Sequence, residues 1–213
     1  MIVFSHIEIG NYLFHAVTKK KDDAFKLNWG AFVFGNVFPD ISKFASRNHF
    51  YEDTKSIYKC YLMKAGNPQR SDRERSMALG VVCHFLCDYF CKYHAKLPYT
   101  RQSMIRHLWY EFILHMKIVD ILFRKSIGFL RSNEFSVFES EAGKNAGKNA
   151  VEGSFDLPGM LHKYEEDEES ELTDMAFSFE AVRIVMKEIL GSETAVSDIK
   201  NRAGRTPACS VAA

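Results

Sequence analysis

Residues 80–111 read GVVCHFLCDYFCKYHAKLPYTRQSMIRHLWYE. His84 and Asp88 stand four residues apart on an apolar run, and His107 and Glu111 repeat that spacing. Residues four apart on a helix lie one above the other on the same face. Each pair is therefore a two-toothed chelate of imidazole nitrogen and carboxylate oxygen, ligand types that zinc accepts. His94 falls between the pairs, and Pro98 breaks the chain between the helices that carry them. The reading is an all-α fold, a multi-helical bundle with a metal site held between two antiparallel helices.

Both acids lie among large apolar residues. Asp88 has Phe85, Leu86, Tyr89 and Phe90 beside it, and Glu111 has Leu108, Trp109, Tyr110 and Phe112. An uncompensated charge in such surroundings is costly, so a buried acid is paired or bound to metal. For one pair alone, a carboxylate pointing to solvent from an amphipathic helix is the simpler reading. Two pairs with a histidine between them favour the metal.

The chain has 213 residues, enough for one domain with a sizeable core. Its formal net charge of +1 gives no global field to draw in a polyanion or a polycation. The start, MIVFSHIEIGNYLF, lacks the basic segment and long apolar run of a secretory signal. No stretch reaches the roughly 20 uninterrupted apolar residues of a membrane span. Cys83, Cys87 and Cys91 form a stripe with helical spacing, expected to be reduced and to pack against a neighbouring helix; soft zinc ligation is the other reading. These features place the protein in the cytoplasm as an expectation.

Helix signals recur along the chain and strand signals are scarce. Ser5-His6-Ile7-Glu8 fits a capping box that opens a helix to about Lys20. Residues 28–41 read as one short helix ending in a turn, and a second helix spans about 50–64, closed by Gly66-Asn67-Pro68. Ser71-Asp72-Arg73-Glu74 is another capping box, opening a helix to about Tyr93. The next runs from about Thr100 to Phe129. Residues 132–170 read as a loop, with a near-repeat GKNAGKNA and an acid run from Glu165 to Glu171 expected to begin a helix. A last helix spans about 173–190. The division expected is a single all-helical catalytic domain over 1–190, its ligand-bearing part within 1–130, and a disordered tail over 191–213.

In chain order the candidate ligands are His6, Asp40, His49, His84, Asp88, His94, His107 and Glu111. Together with the segments GNVFPDI (35–41), HFLCD (84–88) and HLWYE (107–111), this order resembles the zinc-dependent phospholipase C family over about residues 4–125. That all-helical fold is shared with the zinc-dependent fungal single-strand nucleases. The resemblance implies that Asp40, His49, His84 and Asp88 hold one zinc, and that His94, His107 and Glu111 hold another. It implies that Asp88 bridges toward a third, bound in the family also by a histidine matching His6 and by the amino group of an N-terminal tryptophan. This chain begins Met-Ile-Val-Phe-Ser, so the third site is expected to be weak, different or empty. His15 is left as the substitute ligand for that third site should one fill it, with a place on the helix surface as its simpler reading; His115 continues the His107–Glu111 stripe, and His162 is given no role.

The resemblance implies hydrolysis of a phosphodiester by zinc-activated water, with Asp40 orienting or deprotonating that water and Glu111 as its rival. The substrate is a phosphoester, with phospholipid one form of it. Phe32, Phe34, Phe38, Phe44, Phe50 and Tyr51 are candidates for an apolar mouth, most of them expected in the core. Arg70, Arg73, Arg75, Lys92, Lys96, Arg101 and Arg106 lie around the ligand helices, so a nuclease or a soluble phosphoesterase stays open. The alternative of another class is a non-catalytic helical protein with a structural or decayed metal site.

Overall fold

The computed structural model describes residues 2–18, 26–42, 49–95, 101–126, 155–167 and 170–191. Among them the chain forms eight helices and no strand: α1 (Val3–Thr18), α2 (Trp29–Ile41), α3 (Tyr51–Gly66), α4 (Asp72–Tyr89), α5 (Lys92–Ala95), α6 (Arg101–Ser126), α7 (Leu157–Glu166) and α8 (Glu171–Gly191). The GKNAGKNA repeat, Phe44, Lys96, Pro98 and the tail beyond Gly191 lie outside the described residues, as does the side chain of His15. No helix among the described residues is long and apolar enough to cross a membrane.

The axis of the fold is α4. It begins at the expected capping box: the Ser71 hydroxyl accepts from the Glu74 amide, and the Glu74 carboxylate accepts from the Ser71 amide at 3.1 Å. From Ala78 to Tyr89 every residue is buried. A helix enclosed on all sides needs neighbours around its whole circumference, and α1, α2, α3 and α8 supply them. The stripe of Cys83, Cys87 and Cys91 is buried and free. Cys60, away from that stripe on α3, is disulfide-bonded.

Two glycines set the closest crossing. A Cβ at Gly35 on α2 would sit 2.1 Å from the Met77 carbonyl oxygen, and one at Gly80 on α4 would sit 2.2 Å from the Phe32 carbonyl oxygen. Backbone lies on backbone here, and neither neighbour is a side chain that can swing away. Gly80→Ala is therefore expected to destabilise the protein by at least about 1–3 kcal/mol, which for a chain of this size lowers Tm by about 2–4 °C per kcal/mol. Thermal unfolding of the variant checks this, and an unchanged Tm would mean the helices can part without cost.

Four boundaries differ from the sequence reading. Ser5 is not an N-cap: α1 begins at Val3, the Ser5 amide donates to the Ile2 carbonyl, and Ser5 and His6 are buried one turn inside the helix. The helix through His84 stops at Tyr89 rather than Tyr93; the Cys91 amide turns back to the Asp88 carbonyl at 3.0 Å, and α5 starts afresh. Residues 157–166, expected in a loop, form α7, with the Asp156 side chain accepting from the Gly159 amide and Pro158 in the first turn. The acid run does not start one helix. Glu165 and Glu166 end α7, and Glu171 opens α8, whose Ser170 hydroxyl accepts from the Thr173 amide.

Candidate metal centre

The site is assembled on α4 by its contacts with α2. His84 donates from Nδ1 to the Asn36 carbonyl at 2.8 Å. That bond fixes the ring, so Nε2 carries the lone pair and faces inward. Asp40 follows Pro39 in the last turn of α2, and its Oδ1 lies 3.6 Å from His84 Nε2. His49 immediately precedes the cap residue of α3, Phe50. Thr54 ties that cap to α4, donating to the Phe50 carbonyl and meeting the Tyr89 hydroxyl at 2.9 Å. His49 is thus held against α4 by the start of α3.

Asp88 lies at the centre, 1 % exposed. Its Oδ2 is 2.7 Å from His49 Nδ1 and 3.1 Å from His84 Nε2. Its Oδ1 is 3.4 Å from His6 Nε2 and 4.0 Å from His94 Nε2. One carboxylate is bracketed by four imidazoles, with His6 stacked on His84 at 4.3 Å between ring centres. Glu111 forms the neighbouring node: its Oε1 is 2.7 Å from His107 Nε2 and 3.2 Å from His94 Nε2. Tyr93 stacks flat on His107, 5.0 Å between centroids. All eight residues selected from the sequence therefore join one connected cluster.

Within it three groups have ligand atoms no more than 4.8 Å apart: His6 with Asp40 and His84; His49 with His84 and Asp88; and Cys91 with His94 and Glu111. This grouping differs in two respects from the one the resemblance implies. His6 pairs with Asp40 and His84, and the third group is completed by Cys91, with His107 bonded to Glu111 beside it.

The charges follow from burial and neighbours. Burial works to raise the Asp88 pKa, but the positive charges around it, those of His84, His94 and His6 among them, outweigh that and hold it well below the usual carboxylate range. Burial likewise opposes ionisation of Glu111, and the positive charge around it, together with its bonds to His107 and His94, holds it low. At Asp40 burial prevails and the pKa is raised. Burial disfavours a charged His49, yet the hydrogen bond and charge of Asp88 leave its pKa raised; at His94 burial wins and lowers it. Ionised Asp88 and Glu111 beside neutral His94 form a hard-and-borderline donor set, the kind zinc takes from nitrogen and oxygen. The residues present fit the ion.

The cluster opens at one edge. Asp40 is 31 % exposed, and His94 borders a cleft of about 480 Å³ whose other walls include Phe50, Tyr51, Tyr89, Pro158 and Leu161. Phe32 is fully buried, Phe34 is exposed, and Phe38 is half-buried. Exposed His162 lies at the cleft, while His115 Nδ1 meets the Ser5 hydroxyl at 3.2 Å, away from the cluster. Of the basic residues around the ligand helices, Arg70 pairs with Glu74, Arg75 donates to the Ala65 carbonyl, and Lys92 lies over the Tyr110 ring.

Sequence reasoning missed Asp174. It is buried on α8, where it accepts from the Tyr110 and Tyr164 hydroxyls at 2.7 and 2.6 Å and from the Lys92 amide at 3.1 Å. It thereby ties the last helix to the two elements that carry His94 and Glu111. An acid between Thr173 and Met175 on an apolar run was the available signal, the same one that marked Asp88.

A sequence model of zinc dependent phospholipase C matches residues 5–153. No curated protein and no solved structure gives a match to the chain. The match covers most of the chain, and every described member of the cluster lies within it; the chain belongs to the zinc-dependent phospholipase C family.

Proposed function

We propose that the protein is a zinc-dependent phosphoester hydrolase that cleaves phospholipid at a membrane surface. The observation that carries this reading is the Asp88 carboxylate, buried and bracketed by His6, His49, His84 and His94. A carboxylate with imidazoles on both oxygens is built to bridge two cations. Bound zinc would supply an activated water, its pKa brought from about 15.7 toward 7, and a counter-charge for the phosphoryl oxygens.

The chain's own residues do the rest. Asp88, Asp40, His49 and His84 would hold one ion, and Glu111, His94 and His107 another. His84 is oriented for this by the Asn36 carbonyl, and His107 by the Tyr93 ring. Asp40, the most open carboxylate of the cluster, takes the proton of the attacking water at Oδ1 or Oδ2. The neighbouring cleft receives the ester, its Phe50, Tyr51 and Tyr89 walls excluding water from the bond to be cut. That open edge favours catalysis over a purely structural ion, because structural zinc sites are closed.

Lipid is favoured by α6. Its outer face exposes Ile105, Leu108, Trp109, Phe112, Met116 and Phe123, with Trp109 64 % exposed, while its inner face carries His107 and Glu111. A continuous apolar stripe of this size on a soluble face marks an interaction surface, and a tryptophan within it suits the lipid–water boundary. Zinc content by elemental mass spectrometry, paired with hydrolysis of vesicle phospholipid and of a short-chain monomeric phospholipid, tests the reading. The double variant Trp109→Ser, Phe112→Ser is expected to lose about 10²–10⁴-fold on vesicles, from two side chains worth about 1.5–3 kcal/mol of burial each. It should be unchanged on the monomeric substrate. Equal loss on both would remove the membrane from the reading, and zinc-free, inactive protein would remove the reading itself.

A further inference from the structure

We infer that Cys91 is a thiolate ligand of the second metal position, adding one sulfur to the nitrogen and oxygen donors of His94, His107 and Glu111. The inference rests on the metal-centre reading above and adds a soft ligand to it.

The three stacked cysteines provide an internal comparison. Cys83 and Cys87 lie four apart on α4, and an unbroken helix would place Cys91 in the same row. All three are buried and free. Only Cys91 is grouped with histidine and carboxylate, its sulfur and the donor atoms of His94 and Glu111 lying within 4.8 Å of one another. The cause is the end of α4 at Tyr89. The Cys91 amide turns back to the Asp88 carbonyl at 3.0 Å, and the His94 amide bonds the Cys91 carbonyl at 2.8 Å. Two successive turns therefore place Asp88, Cys91 and His94 three residues apart along one bend. Past the bend Cys91 stays buried in the core, with its sulfur within 4.8 Å of donor atoms of His94 and Glu111.

Ligation breaks the S–H bond, forms the S–metal bond and releases the proton to solvent, with no change in oxidation state. The sulfur also makes this position softer than its neighbour, favouring zinc over magnesium, calcium or manganese.

The test uses the full chain stripped of metal and titrated with cobalt(II). A near-ultraviolet sulfur-to-cobalt charge-transfer band should grow as this position fills. X-ray absorption of the zinc-loaded protein should show a sulfur neighbour at about 2.3 Å. Cys91→Ser should abolish the band and weaken binding of one ion by at least about 100-fold, the upper end of the loss seen when a partner outside the coordination sphere is removed. The other ion and the helical circular dichroism should be retained, and Cys87→Ser should keep the band. Cobalt bound by the unmutated chain without the band, or a band that survives Cys91→Ser, overturns the assignment and leaves the metal centre standing. A chain that takes up no cobalt overturns both. The absorption measurement needs no variant, so a Cys91→Ser protein that fails to fold does not rescue the idea.

Discussion

Asp88→Asn is expected to strip the protein of its metal and to lower turnover by more than about 1,000-fold, because the water activation that zinc supplies spans many pKa units. Asp88 faces four imidazoles of the cluster at once. Its Oδ2 faces His49 and His84, and its Oδ1 faces His6 and His94. Asparagine keeps the shape, removes the charge and replaces one acceptor oxygen by a donor amide that faces imidazoles already aimed inward. Thermal stability should fall as well, since ligand bound only to the folded state stabilises it in proportion to the logarithm of its excess over Kd.

The metal-free proteins give a separate readout. The folded pKa of Asp88 is depressed, so its carboxylate contributes stability that is fully present above the ordinary carboxylate range and is lost as pH falls through that range and below it. Metal-free wild type should therefore lose stability on acidification, and Asp88→Asn should lose less, because that contribution is gone at every pH. Zinc content measured beside acid unfolding curves checks both statements. A variant with normal zinc would show that Asp88 is a structural acid held by histidines and nothing more.

What the sequence made legible was local. His84–Asp88 and His107–Glu111 are each set by one helical turn, so their spacing alone placed each pair on one face. The Ser71 capping box and the amphipathic last helix are equally local and are present in the structure. The parts that escaped are tertiary. Nothing in the residues around Phe90 announces that α4 ends there, and on an unbroken helix His94 would project about 80° away from His84; the bend brings it back beside Asp88. The neighbours read as burying Glu111 were mostly the wrong ones. Leu108, Trp109 and Phe112 are exposed on the opposite side of α6, and Glu111 is enclosed by His94 and His107 instead. Sequence neighbours on a helix point in different directions, so an apolar setting in the chain is not an apolar setting in space. The Gly35–Gly80 crossing is of the same kind: neither glycine announces the other in the sequence, and only the pair explains both.

Asp40→Asn is expected to separate chemistry from binding. The variant should fold and retain some zinc through His49, His84 and Asp88, while turnover falls by about 10²–10⁴-fold, the range supplied by a positioned general base. Asp40 meets the requirements that its rival does not. Its Oδ1 lies 3.6 Å from His84 Nε2 and 3.9 Å from His49 Nδ1, near enough to border a metal-bound water without being locked by either ring. It is partly open to solvent, as a group that must hand its proton onward has to be. Glu111 is almost fully buried, and one of its oxygens already serves both His94 and His107. Glu111→Gln should therefore lose an ion, and its activity should recover at high zinc in the assay. Asp40→Asn should show no such rescue, because the missing group accepts a proton and added metal does not replace it. Undiminished turnover in Asp40→Asn would exclude it as the base. Rescue by zinc would reassign it as a ligand only. The pair of variants, titrated with zinc side by side, thus distinguishes a residue that only holds an ion from one that also takes the proton.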